Sequence, residues 1–446
     1  MLRRSAISLF LILVAVLGDA RTRPHYGGTL RVEIEGDPWQ QPNGIARRLV
    51  YDGLTRMDTS GLAEPALAID WKADNDRHRW QFHLRPGAHF SDGTQVTSVN
   101  IVSSLNASCP NNCPWTAVRA VGGAVVFTSD STMPVLPALL AADAYLIALP
   151  NPDSGSDQRL LGSGPFQAAG FASNILKLAA NENCWQGRPF ADVIEIRVHR
   201  AIRDQWLDLG TGRADIVEVP AEQLRQAQQN HLRVLTSSPD TLLALEISDA
   251  GPLANPLVRT SIALAIDRGA LSNVIYQKQG EVTASLLPAG VSGYSFLFPT
   301  DRDLNKAHEL RGGLTPAQLT LASQGGPMLQ LAAQRIALNL REAGFNVQAA
   351  TGPQRGDLTL RTFSLESRDP QSALESLLRA EGQATSVSDP APAALYKVEH
   401  EFMERKTLIP LLYLPRSFAA SSRVRDLHLD AAGTPDLAGA SLEDAP

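Results

Sequence analysis

From Trp80 to Leu84 the chain alternates apolar and polar residues, and two turn dipeptides follow directly. The run Trp80-Gln81-Phe82-His83-Leu84 has the period of a strand. Trp80, Phe82 and Leu84 therefore share a buried face, and Gln81, His83 and Arg85 take the other. Pro86-Gly87 and Asp92-Gly93 then turn the chain, the proline by fixing φ and the glycines by tolerating φ above zero. Nothing in this arrangement is a nucleophile, a phosphate cradle or a metal set. The segment is scaffold, and the chemistry is sited elsewhere.

The N-terminus bounds the compartment. Met1-Leu2-Arg3-Arg4 is basic, Ser5 to Gly18 is an apolar run too short to span a bilayer comfortably, and Gly18-Asp19-Ala20 ends in small residues. This is the pattern of a secretory signal peptide over residues 1–20, with cleavage after Ala20; an uncleaved N-terminal anchor is the alternative. No Cys follows the run, so a lipid anchor at this site has no support. In an exported protein Cys109 and Cys113, separated by Pro110-Asn111-Asn112, read as a disulfide closing a small loop. The metal alternative lacks a nearby His. Cys184, beside Trp185, reads as a buried small hydrophobe.

At 446 residues the chain has room for two or three domains. A formal net charge of −6 argues against a nucleic-acid partner, because phosphate binding needs a basic face. Strands are expected at Leu30 to Ile34, Ala124 to Phe127, Val193 to Val198 and Thr241 to Ile247. A helix opens at Pro256 with Asn255 as its N-cap. Another runs from Ala332 to Ala343 and ends at Gly344. The glycines of Leu161-Gly162-Ser163-Gly164-Pro165-Phe166 do not form a phosphate loop. No Lys-Ser/Thr follows them, and Pro165 removes a backbone donor, so a tight hinge-adjacent turn is the better reading.

Several of these segments resemble one family in the right order. Pro65-Ala66-Leu67-Ala68, Trp80 to Gly87 and Phe90-Ser91-Asp92-Gly93-Thr94 match a signature of the type "PALAESW…FhLRkGvkFhDGt". About 170 residues later Asn255-Pro256, Val258-Arg259 and Ala265-Ile266-Asp267-Arg268 match "NPPFdDvrVRqAlayAIDR". Leu408-Ile409-Pro410-Leu411-Leu412-Tyr413 is similar to the "P.iPLyy" strand. The chain thus resembles the extracellular solute-binding proteins of the oligopeptide, dipeptide and nickel class (family 5), which feed ABC importers. Resemblance runs from Gly27 to Leu429, with shortenings near residues 106–160 and 379–393.

The resemblance implies an α/β, two-lobed periplasmic binding protein fold with an extra domain and mixed sheets flanked by helices, and a hinge of crossing strands between the lobes. It implies residues 21–45, 162–252 and 409–446 as the first lobe, 46–161 as the small extra domain, and 253–408 as the second lobe. Function would be capture of a small organic solute, peptide or other, in the cleft between the lobes, and delivery to an ABC transporter permease. The chain would act in the periplasm, as a monomer, without a cofactor and not as an enzyme. A degenerate or sensory relative is the alternative, followed by nickel or haem binding. In peptide-binding members an acidic residue in "gW.aDypDP" pairs with the ligand's amino terminus. Aligned on Asp369-Pro370, Phe363 takes the Trp position and Glu366 the acidic one. Glu366 is then either a ligand carboxylate or a solvated one. Asp369 either faces the ligand or caps a helix, and Trp39 faces the ligand or covers the core edge.

Overall fold

The computed structural model describes residues 25–443, apart from 40–43, 59–60, 110–112, 151–159, 295, 313–317, 324, 352–355, 366, 384–386, 388 and 431–432. The expected signal peptide over 1–20 and the candidate residue Glu366 lie outside the described residues.

Two long antiparallel strands, Arg233–Ile247 and Leu408–Ala420, lie at the centre of an 11-stranded mixed sheet. Thr29–Glu33, Val193–Arg197 and Ile216–Glu218 continue the sheet on one side, with Thr29–Glu33 parallel to both neighbours. Leu358–Ser364, Gln318–Ser323 and Asn346–Thr351 continue it on the other. Each long strand serves both lobes. Phe418 and Ala420 join Leu30, Val32, Ile194 and Ile196 in the core of the first lobe. Leu243, Leu245, Leu411 and Leu412 join Ile262, Ile336 and Leu340 in the core of the second.

The register of the two strands is irregular from Thr236 to Thr241, where Pro239 stands opposite Pro415. Neither proline has an N–H to donate, so the ladder cannot be completed at the point where the chain passes from one lobe to the other. Beyond it the apolar run Leu242 to Leu245 is buried on both faces. Leu242 and Ala244 pack against Phe363 and Leu374, and Leu243 and Leu245 pack against the opposite core. Burial on both faces explains why this strand is almost continuously apolar and does not alternate.

The small domain is built on a four-stranded antiparallel sheet ordered Ala68–Ala73, Arg79–Leu84, Ala124–Thr128, Ala117–Val121. Trp80 and Phe82 are buried as the alternation requires, while Leu84 is half-buried. Phe82 meets Phe127 edge-on with ring centroids 5.4 Å apart. Gly87 and Gly93 adopt φ of +73° and +85°, the conformations that demand glycine in the two turns. The helix Ser98–Ser108 starts at a capping box, Thr97 and Asn100 each accepting the other's backbone N–H. Cys109 and Cys113 are joined as a disulfide, and Cys184 is a buried free thiol.

Asn255 caps the helix Pro256–Ala265 by accepting the N–H of Leu257 at 2.9 Å. The helix expected at residues 332–343 begins earlier, at Pro327, and ends at Glu342, with Gly344 at φ +85° behind it. A Cβ on Gly162 would lie 1.9 Å from the Val50 carbonyl oxygen, so close backbone approach explains the glycines of residues 161–166. No helix among the described residues is long and apolar enough to cross a membrane.

Candidate functional site

A cavity of about 500 Å³ lies between the lobes. The first lobe contributes Glu35, Glu218, Arg416 and Ser417, and the second contributes Gly325 and Gly326. Its size falls within the range of about 300–1,000 Å³ usual for small-molecule sites. Glu35 stands two residues past the end of the strand Thr29–Glu33, and Glu218 ends the parallel neighbour Ile216–Glu218. Both therefore occupy the carboxyl ends of parallel strands, the edge at which open α/β sheets place ligands.

The two carboxylates are held differently. Glu218 Oε2 accepts the backbone N–H of Glu35 at 2.6 Å, and Gln205 Nε2 donates to the same oxygen at 3.4 Å. The backbone N–H of Glu218 donates in return to Gln205 Oε1 at 2.9 Å. Gln205 is fully buried, so this bracket fixes Glu218 in place. The Glu35 carboxylate faces the head of the second-lobe helix Pro327–Glu342. Burial pushes the pKa of both carboxyls up; for Glu218 the Glu35 N–H and Gln205 pull it back. Burial also raises Glu222 nearby, with the charge of Glu35 adding to the effect. Such desolvated carboxylates gain more from a cation than exposed ones, since the surrounding dielectric is low.

Arg416 supplies the opposite charge. It follows Pro415 at the strand crossing, where its N–H donates to Ser237 Oγ at 3.0 Å and its Nη1 to Thr434 Oγ1 at 3.1 Å. Burial lowers its pKa, against the opposing pull of Asp240 and Glu218. Asp240, 2% exposed, is pushed up to about 6 by burial. The cleft thus presents carboxylates and a guanidinium within one enclosure, complementary to a solute bearing both an ammonium and a carboxylate.

Of the residues singled out from sequence, Glu366 lies outside the described residues, and Phe363, Trp39 and Asp369 are placed as follows. Phe363 lies in the second-lobe core, 6% exposed, with the Arg361 guanidinium over its ring at 4.5 Å. Trp39 packs at the edge of the first-lobe core with its ring 6.3 Å from that of Tyr51. Asp369 caps the helix Pro370–Ala380 by accepting the N–H of Ser372 at 2.8 Å, the structural role weighed for it. None of these three lines the cavity. Glu35, Glu218 and Arg416 went unmarked because each is a single charge outside any motif, the first two at strand ends and Arg416 within the strand Leu408–Ala420. A signal did exist for Arg416: a cation immediately after the apolar run Leu408 to Leu414 and a proline. Among the described residues no group of three or more His, Cys, Asp or Glu is placed to hold a metal ion.

Comparison with known proteins completes the assignment. The structure superposes on the ABC transporter-associated periplasmic binding protein DppA from Helicobacter pylori with a TM-score of 0.81 at 19% identity, covering 96% of this chain and 100% of that one. It superposes on NikA from Staphylococcus aureus, solved with Ni(L-His)2, with a TM-score of 0.79 at 18% identity, covering 93% and 100%. In sequence it is 28% identical over 244 residues to the peptide transport periplasmic protein SapA of Salmonella typhimurium, covering 50% of this chain and 44% of SapA. The chain therefore spans about half the length of the curated relatives it first matches. These proteins share a two-lobed periplasmic binding protein fold, here a mixed sheet flanked by helices. The profile of the bacterial extracellular solute-binding proteins, family 5 Middle, matches residues 63–384. The chain belongs to the bacterial extracellular solute-binding proteins of family 5.

Proposed function

We propose that this protein is an exported binding protein that captures a small, peptide-like zwitterionic solute between its lobes and delivers it to the permease of an ABC importer. The interlobe cavity carries the reading: Glu35 and Glu218 stand on the same wall as Arg416, so a solute's ammonium and carboxylate both find a partner there. The relatives are named as binding proteins for peptides and nickel complexes, and none of those cited is named as an enzyme. We assign the protein no catalytic step, a periplasmic location after removal of residues 1–20, and a monomeric state.

We also propose that the lobe boundaries expected at 252/253 and 408/409 lie at the prolines instead; the packing of Leu242, Leu243, Leu245, Leu408, Ile409 and Leu412 in the second-lobe clusters supports this. Residues 46–161 remain the small extra domain.

Native mass spectrometry of the protein purified from its own host, with thermal-shift screening of di- and tripeptides, tests the function. A bound peptide-sized mass and a saturable shift weakened by Glu218→Gln are expected. A metal at a stoichiometry near one, or a shift indifferent to Glu218→Gln, would overturn the reading.

A further inference from the structure

A second cavity lies within the second lobe, away from the residues that line the cleft. It has a volume of about 120 Å³ and is walled by Leu264, Phe298, Met403 and Ile409, with Arg268 and Lys406 among its lining residues. No acidic residue lines it among the described residues. Arg268 is 4% exposed and makes no ion pair among the described residues; its Nε donates to the Pro410 carbonyl at 3.1 Å and its Nη1 to the Ala263 carbonyl at 3.4 Å. These bonds use two of the five N–H donors of the guanidinium. Lys406 lies with Nζ 3.0 Å from the centroid of the Phe298 ring and donates to the Met403 carbonyl at 3.2 Å. The carboxylate that acts on it, Glu404, is exposed and stands against His400 at 3.8 Å.

Two cations sharing one partly apolar pocket is an arrangement that an anion relieves. Each is separately desolvated, and they repel one another. Burial accordingly pushes Arg268 down to about 10 and Lys406 down to about 8, the latter with a contribution from Arg268. The rest of the lining is mostly apolar. Phe298 is the aromatic residue of the lining, and its ring is held in place by stacking on His400, with ring centroids 5.3 Å apart. The volume approaches the ~150 Å³ of a cavity that admits benzene.

We infer that this pocket is a second ligand site, which takes a small aromatic monocarboxylate with its carboxylate between Arg268 and Lys406 and its ring against Phe298 and Leu264. The site is independent of the solute cleft and of what the cleft carries. Only a ligand with both parts satisfies it: a bare inorganic anion leaves the apolar wall uncovered, and a neutral ring leaves the cations unpaired.

The test is a titration of the full chain with sodium benzoate at constant ionic strength, followed by calorimetry and ligand-observed NMR. Saturable one-to-one binding is expected. Benzamide, with the same ring and no charge, should bind at least about tenfold more weakly, the usual weight of a charge-assisted hydrogen bond. Lys406→Gln should weaken benzoate by about the same factor, and Ala263→Leu should abolish binding by filling the pocket. Circular dichroism and thermal melting confirm that both variants fold; Arg268 is left intact because it also ties down the Pro410 carbonyl. Equal affinity for benzoate and benzamide, displacement of benzoate by chloride or phosphate at equal concentration, or binding unaffected by both variants would overturn the proposal. So would the absence of saturable binding at 10 mM benzoate, about the weakest affinity worth assigning to a site.

Discussion

Gly326, at the head of the helix Pro327–Glu342, faces Glu35 across the cleft so closely that a Cβ on the glycine would lie 2.6 Å from Glu35 Oε2. The contact joins residues from opposite lobes, so it belongs to the closed arrangement. Gly326→Ala should therefore weaken closure and leave each lobe intact. The φ of −68° suits alanine, so the lobe itself keeps its fold, and the clash arises only when Glu35 of the other lobe is brought up to it. Thermal stability should change by less than about 0.5 kcal/mol, as for substitutions that leave cores and caps untouched. Small-angle X-ray scattering should show a larger radius of gyration in the variant. An unchanged radius would mean that this contact does not limit closure.

A second bridge joins the small domain to the second lobe. Arg379 Nη1, near the end of the helix Pro370–Ala380, donates to the phenolic oxygen of Tyr145 at 3.0 Å. Tyr145 is 3% exposed and its ring packs 5.3 Å from that of Trp115, so Tyr145→Phe keeps the packing and removes the acceptor. The loss should cost the closed state about 1 kcal/mol, a shift of roughly fivefold toward the open form. Fluorescence energy transfer between labels on the two lobes would measure it. A variant with the wild-type open fraction would show that the bond is made equally in both forms.

The scaffold was more legible than the site, and the reason is physical. Trp80 and Phe82, the capped helix after Asn255 and the turns at Gly87 and Gly93 obey local rules of period, capping and φ that are written in consecutive residues. The cleft obeys no local rule. Glu35, Glu218 and Arg416 come together because residues 183 apart and then 198 apart fall on or just past neighbouring strands of one sheet. Phe363 illustrates the converse. Its place in a recognisable segment pointed to the ligand, but a strand covered on both faces needs an apolar residue there in any case.

The Cys109–Cys113 disulfide spans a sequence separation of 4 at the C-terminal end of the helix Ser98–Ser108. So short a loop restricts the unfolded chain only modestly, by about 2 kcal/mol on the loop-entropy relation. Both cysteines also pack against the core of the small domain, so the loss should be felt there first. Reductant should lower the melting temperature of the wild type and leave the Cys109→Ser/Cys113→Ser variant unmoved. Under denaturing conditions without reductant the wild type should give one free thiol, from Cys184, which is buried in the native fold. Three free thiols would show the pair to be reduced.

Asp240 gives the hinge a pH dependence of defined sign. Burial holds its carboxyl at about 6, against a usual value of 3.8, despite Ser237 and Arg416 nearby. Below about pH 4 the aspartic acid is neutral in both native and unfolded chains. Between about 4 and 6 the unfolded chain has released the proton and the native chain retains it. Stability therefore falls as pH rises through that window, and the full penalty persists above about 6. Asp240→Asn removes the titration while keeping the shape. The variant should match the wild type near pH 4 and exceed it by about 2 kcal/mol at pH 7, somewhat under the ceiling set by two pKa units. Burial also raises Glu399, to about 7, and raises Glu35, Glu218 and Glu222, so the wild-type slope has further sources of the same sign, and only the difference between the two proteins isolates Asp240. Urea denaturation at pH 4, 5, 6 and 7 measures that difference. A difference that stays flat across the series, or a variant less stable than the wild type at pH 7, would show that Asp240 is ionised and compensated in the native hinge, with Arg416 as its partner.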